Sequence, residues 1–234
     1  TKSVMTTITD TLTASVTTTL SANVENLTLT GTAAIDGTGN AGANIIKGND
    51  ASNILKGGNG IDVLTGMGGN DIFDLTGIKL AANRNTITDF LTGDTVRLSN
   101  NLTTRTGTGT PIFANVIQAS TVSLNVSAAD VFVFNFDNTE TGVDLGSSTT
   151  GTALLDGLSN GTTSKTDIAK LSTSSAGGQG YILAYDNSNA YLYYFNAGAK
   201  NSAVAASEIN LIGIFDSQNA IAVNSLVNTN FVMV

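Results

Sequence analysis

Between residues 39 and 74 the chain repeats itself every nine residues: GNAGANIIK (39–47), GNDASNILK (48–56), GGNGIDVLT (57–65) and GMGGNDIFD (66–74). The first position is Gly four times out of four. The eighth is apolar four times out of four (Ile46, Leu55, Leu64, Phe73), and the sixth is Asn44, Asn53, Asp62 and Asp71. A flexible linker would scatter its glycines without a fixed acid and a fixed apolar position. Glycine costs entropy to order, so glycines at a fixed interval need a structural reason, and a fixed period is the signature of stacked, repeating architecture.

Nine residues divide into a six-residue loop and a three-residue strand. Strand residues alternate faces, so positions seven and nine point outward and position eight points into a shared core. Two successive repeats make one coil with loops on opposite edges, and loops n and n+2 stack. The glycines let the loop backbone aim its carbonyls inward, and the position-six carboxylate closes the shell. Oxygen donors from backbone and Asp, with no nitrogen or sulfur, describe a Ca²⁺ site. In this geometry Asn44 stacks 18 residues from Asp62, and Asn53 stacks 18 from Asp71, each pair sandwiching one ion. Asp62 and Asp71 are the first expected ligands. Asn44 and Asn53 lack charge and bind more weakly, and a ladder of asparagines holding no metal is an equal reading of them. Asp89 and Asp94, in TDFLTGD (88–94), are expected to close the end, with plain turn capping as their other reading. The main chain of Gly57, Gly58, Gly60, Gly66, Gly68 and Gly69 is expected to supply carbonyls.

Composition narrows the chemistry. Of 234 residues only 12% are charged, against roughly 25% in an average domain, and Ser, Thr, Asn and Gly fill the gap, a profile of strands joined by tight turns. The net charge of −8 comes from fifteen Asp and three Glu against ten Lys plus Arg. An acidic chain without a basic stripe argues against nucleic acid. No apolar run approaches 18 residues, so no transmembrane segment is expected. The absence of Cys and His removes disulfides, thiol chemistry and most triads and transition-metal sites. Paired carboxylates would be the remaining route to acid–base catalysis, but the repeat accounts for them. A serine nucleophile would need a lysine base, and Lys165 and Lys170 lie in a polar stretch with no serine motif. The chain is not expected to be an enzyme.

Three regions follow. Residues 1–38 are Thr-rich strands leading into the roll, with Leu27 and Leu29 alternating against Thr28 and Thr30. Their threonines hold no single period, which disfavours an ice-binding face. Residues 39–100 are the roll and its cap, including a strand, a turn at Thr92–Gly93 and a second strand. Residues 101–234 form a C-terminal β domain. It opens on a loop (101–110) closed by Pro111, then alternates strand-like runs (PIFANVIQ, DVFVFNF, INLIGIFD, NFVMV) with a polar stretch at 137–178 that holds one or two helical turns near 152–161. YILAY and AYLYYF around Asp186–Asn189 read as a hairpin. Tyr181, Tyr185, Tyr191, Tyr193 and Tyr194 read as strand core rather than a sugar platform. The fold class is all-β: a short parallel calcium β-roll (β-solenoid) followed by an antiparallel β C-terminal domain. With Thr first and no signal stretch, the chain reads as part of a larger protein or its mature form.

The nonapeptide resembles the repeats of the RTX (repeats-in-toxin, haemolysin-type) family. GGNGIDVLT matches every motif position and GMGGNDIFD departs only at Met67, whereas the two earlier repeats lack the acid and GNDASNILK has Ala51 in place of Gly. VENLTLTGTAAIDGTGN and TITDFLTGDTVRLS look like stretches that lead into and out of such repeats. The resemblance is specific over 24–98 and looser over 180–234. It implies a calcium-loaded parallel β-roll and export, unfolded, from a Gram-negative-type bacterium by a type I secretion ABC transporter. The export signal would be C-terminal and uncleaved, and folding would await extracellular calcium. The expected function is therefore a calcium-binding, calcium-triggered folding and export module of a large secreted or cell-surface protein. Two other classes stay open: a surface-layer or adhesin segment that self-assembles with calcium or holds a cell-surface polysaccharide, and the non-catalytic tail of a secreted hydrolase or toxin.

Overall fold

Strands form where the apolar position of each repeat recurs. The computed structural model describes residues 9–99, 113–116, 123–124, 131–135, 172–173, 179–186, 189–196, 206–216, 226 and 228–234. Ten short strands alternate between two sheets. One sheet receives β1 (Thr11–Ala14), β3 (Asn26–Leu29), β5 (Ile45–Lys47), β7 (Asp62–Thr65) and β9 (Asn85–Ile87). The other receives β2 (Thr18–Thr19), β4 (Gly37–Thr38), β6 (Ile54–Lys56), β8 (Ile72–Asp74) and β10 (Thr95–Leu98). Every neighbouring pair within these two rows is parallel. The chain is all-β, with a parallel β-solenoid of about five turns and antiparallel strands near the C-terminus.

Register turns the eighth position into two continuous stacks. Leu27, Ile46, Leu64 and Ile87 are register partners in the first sheet, and Leu55, Phe73 and Val96 in the second. None of the seven is more than 1% exposed. The roll also begins earlier than the nonapeptides. The Thr-rich residues 11–38 build its first two coils, because Leu27 aligns with Ile46 and Gly37 with Leu55. Gly37 stands where a side chain would crowd the stack: a methyl there would meet Leu27 at 3.1 Å and Ile46 at 3.2 Å. The strand–turn–strand unit after the repeats continues the roll as a fifth coil, with its turn at Thr92–Gly93.

The roll does not end in solvent at β9 and β10. Strands β15 (Gln179–Asp186), β16 (Asn189–Asn196) and β17 (Ile209–Phe215) pair antiparallel in succession. Beyond β15, β13 (Val131–Asn135) and β11 (Phe113–Val116) add in parallel, while β12 (Ser123–Leu124) and β14 (Ser172–Thr173) form a separate parallel pair. Strand β17 then pairs in parallel with β9, and β18 (Phe231–Met233) in parallel with β10. Together they lay a sixth layer on both sheets. Phe215 continues the first stack over Ile87, and Phe231 continues the second over Val96. Phe90 fills the corner between roll and cap. Its ring lies 5.9 Å from that of Phe73 and meets Phe215 edge-on at 5.4 Å, an arrangement that adds to plain burial.

The hairpin expected at YILAY and AYLYYF is the β15–β16 pair, closing with Asp186 opposite Asn189. All five tyrosines are buried, and two hydroxyls find carbonyls, Tyr181 at Ser99 (3.1 Å) and Tyr185 at Leu226 (3.4 Å). The loop expected at 101–110 with Pro111, the helical turns near 152–161, the turn residues 187–188, and Lys165 and Lys170 lie outside the described residues. No helix among the described residues is long and apolar enough to cross a membrane.

Candidate metal centre on the roll edges

The loops sort onto two edges. Residues 39–44, 57–61 and 75–84 carry the chain into the first sheet; residues 48–53, 66–71 and 88–94 carry it into the second. Loops 18 residues apart stack, and the glycines permit close approach. A methyl on Gly39 would collide with the Gly57 carbonyl, and one on Gly48 with the Gly66 carbonyl. Gly58 (φ +101°), Gly60 (φ +102°) and Gly69 (φ +104°) are left-handed, and so is Met67 (φ +76°), which keeps the backbone of the glycine it replaces. Gly68 lies beside Asp50.

Gly60 and a further left-handed glycine, Gly77, make a test. Gly77 is left-handed with open space around its Cα, whereas a methyl on left-handed Gly60 would run into the Gly42 carbonyl. Gly77→Ala should therefore cost about 1 kcal/mol, the price of the backbone alone, and Gly60→Ala several times more because neighbouring backbone must move. Urea midpoints of the two variants check the ratio. Equal losses would mean that the loops are not closely stacked.

The sixth-position side chains point inward and are buried: Asn44 at 2%, Asn53 at 1%, Asp62 at 0% and Asp71 at 1% exposure. Each accepts a backbone amide. Asp62 Oδ1 accepts from the Asn44 N–H (2.9 Å) and Asp71 Oδ1 from the Asn53 N–H (2.8 Å), while Asn44 and Asn53 accept from the amides of Asn40 and Asn49 in their own loops. The expected pairs, Asn44 with Asp62 and Asn53 with Asp71, are thus brought together and joined directly by a hydrogen bond. Asp94 continues this ladder, accepting from the amides of Asp71 (2.8 Å) and Leu91 (2.7 Å). Asp89 clasps the amides of Gly66 (2.7 Å) and Met67 (2.8 Å).

The other edge contains a residue that sequence reasoning did not single out. Asn85 is the register partner of Asp62. Its amide nitrogen donates to the Asn83 carbonyl in its own loop (3.1 Å), which leaves Oδ1 turned away from that bond. Asn85 Oδ1 and Asp62 Oδ2 are both buried and have no hydrogen-bond partner. Both lie against Gly57, where a methyl would overlap the two oxygens at once. A third unpartnered oxygen, Asn26 Oδ1, belongs to β3, two strands away in the same sheet. The signal for Asn85 was present in the sequence: NTI (85–87) and DTV (94–96) repeat the acid-or-amide, any, apolar triplet of DVL (62–64) and DIF (71–73). The spacing lengthens from 18 to 23, because the 75–84 connection carries extra residues around a short 3₁₀ turn at Ala81–Asn83.

Burial governs the electrostatics. Loss of water pushes the Asp62 carboxyl up to about 6, against the opposing hydrogen bond from Asn44. Asp71 also rises to about 6, chiefly through burial and further through the charges of Asp94 and Asp89. Asp94 is raised by burial and by Asp89, and lowered by its two amide donors. At pH 7 the folded roll therefore holds carboxylates in places that disfavour their charge, beside orphaned oxygens. Hard oxygens without protein partners suit a hard cation, and the donor set fits calcium. Among the described residues no three acidic side chains gather to hold an ion alone, so backbone and amide oxygens would complete any shell. Compared with family models, with curated proteins and with solved structures, the chain matches none of them.

Proposed function

We propose that this chain is a calcium-binding module whose folding is driven by calcium, acting in the export and extracellular folding of a larger secreted or cell-surface bacterial protein. The observation that carries the reading is the convergence of Asp62 Oδ2 and Asn85 Oδ1, both buried and unpartnered, on the close approach at Gly57. An unpaired buried polar atom costs about 1–3 kcal/mol, and a carboxyl raised to about 6 costs on the order of 3 kcal/mol when charged at pH 7. A bound cation offsets both. At a thousandfold excess over its dissociation constant, a ligand confined to the folded state adds about 4 kcal/mol, comparable to that cost at one site. Asp62 and Asn85 would hold the ion on one edge. On the other, Asp71 would take part beside Asp94 and Asp89. A bound ion would supply positive charge to these oxygens, with no redox chemistry. The export half of the reading rests on the resemblance of the repeats to RTX sequences.

Calcium titration of an EGTA-treated sample, followed by far-UV circular dichroism and calorimetry, tests the reading. Added calcium should increase the β signal and release heat, and Asp62→Ala and Asp71→Ala should each weaken binding at least about tenfold. A protein that is fully ordered in EGTA, takes up no calcium and is indifferent to both substitutions would overturn it.

A further inference from the structure

The two halves of the roll join their coils by different means. In the third coil, side-chain amides reach back to the second. Asn40 Nδ2 donates to the carbonyls of Ser21 and Val24 (both 2.8 Å), and Asn44 Nδ2 to those of Val24 (3.0 Å) and Glu25 (3.3 Å). On the opposite edge, Asn49 Nδ2 donates to Gly31 (3.1 Å) and Ala33 (2.9 Å), and Asn53 Nδ2 to Ile35 (2.6 Å). Six carbonyl oxygens that face the stacking coil are thereby satisfied by the protein itself. The Asn40 and Asn49 side chains also close their own loops, since their Oδ1 atoms accept from the amides of Gly42 (2.8 Å) and Ala51 (3.0 Å). Partial positive charge directed at clustered carbonyls is what a bound cation provides in a roll edge.

In the fourth and fifth coils, among the described residues, no side-chain amide donates to a backbone carbonyl of the coil before. The second loop position becomes Gly58 and Met67, both left-handed, and the sixth becomes Asp62 and Asp71. Among the described residues, no side-chain amide of loops 57–61 and 66–70 donates into the third coil. Asn59, the exposed asparagine in the first of these loops, only accepts from Asn83 (3.2 Å). Of the fifth coil's amides, Asn83 donates only to the Asn59 side chain, and Asn85 is turned into its own loop and leaves an oxygen open.

We infer that the asparagine amides of the third coil stand in for cations, so that coils two and three (residues 20–56) form without calcium and template the calcium-dependent coils that follow. The division rests on the calcium reading of the later coils; the asparagine clamp itself does not. Apolar continuity makes the template possible, because Leu27, Ile46 and Leu55, from the two facing sheets, are buried together around Gly37. Folding on calcium then becomes elongation from a preformed end instead of nucleation from a disordered chain, and the register of coil four is set before the first ion binds.

Segment-resolved hydrogen exchange of the full chain, in EGTA and in millimolar calcium, tests this with the double variant Asn40→Asp/Asn49→Asp. Each Asp keeps the acceptor oxygen of the loop-closing bond and replaces the donor with a second oxygen. In EGTA, residues 20–56 of the parent should be protected and residues 57–98 should not. In the variant, protection over 20–56 should fall at least about a hundredfold, because four hydrogen bonds to the second coil are removed, and calcium should restore it. Asn59→Asp adds one such charge without touching a clamp and should leave 20–56 unchanged.

The outcomes separate. Residues 20–56 unprotected in the parent in EGTA, or unchanged protection in the double variant, would overturn the template. Loss without restoration by calcium would overturn the claim that the amides stand in for a cation. If 57–98 are protected in EGTA and unaffected by calcium, the calcium reading fails, and the clamp is still decided by the double variant against Asn59→Asp.

Discussion

Acidifying the calcium-free protein from pH 7 to pH 4.5 should favour the folded form of coils four and five by about 4 kcal/mol, so that residues 57–98 gain β signal and a melting transition. The sign follows from Asp62 and Asp71, each raised from 3.8 to about 6. Between those two values the folded chain retains protons that the unfolded chain has released. The stabilisation is therefore complete below about pH 4 and is lost as pH climbs through 6; above that, the folded state carries the full cost of two buried charges. Each group contributes about 2 kcal/mol between pH 4.5 and pH 7. In saturating calcium the trend should reverse, because protons now compete with the ion for the same oxygens. Calorimetry in EGTA and in calcium across this range measures both slopes. A calcium-free protein that weakens steadily on acidification would show that burial does not govern these two carboxyls.

The second large effect concerns the cap. Phe215→Ala should cost about 3–5 kcal/mol, the range for removing a fully buried aromatic side chain. Phe215 is 0% exposed, carries the stack of Leu64 and Ile87 into the cap, and stands T-shaped to Phe90. Phe231→Ala, at the end of the other stack, should act similarly. Guanidinium unfolding followed by hydrogen exchange over 85–98 reads the result: the fifth coil should lose protection first. A loss confined to residues 179–215, with 85–98 unaffected, would mean that the cap and the roll fold independently.

Much of the roll was legible because nine-residue spacing leaves few options. With position eight inward and two repeats per coil, the stacking of Asn44 on Asp62 and of Asn53 on Asp71 follows. The first two coils were harder to see, since β1 to β4 keep the inward apolar residue at Leu27 but replace it with Gly37 on the other side. Asn85 was hidden by spacing: a longer connection at 75–84 breaks the period while preserving the register. The asparagines at the second loop position were visible as letters only. That they reach across coils depends on where four carbonyls of the neighbouring coil point, and one-dimensional periodicity carries no such information. The sixth layer was illegible for a related reason. INLIGIFD and NFVMV read as strands, but nothing local in them specifies a parallel partner far upstream.

That distant pairing has a kinetic side. Gly213 registers with Asn85 across 128 residues, whereas successive coils close over 18. Loop closure grows as (3/2)RT ln n, so joining the cap costs roughly 1.7 kcal/mol more in chain entropy than adding a coil. The sixth layer consequently arrives late, as expected where contacts are far apart in sequence. Until it does, β9 and β10 present open strand edges, the kind of surface on which a second copy of the same segment can pair. Dilution during refolding should therefore favour the monomer, and the time the chain spends with five coils formed and the sixth absent sets how much of it is lost to association.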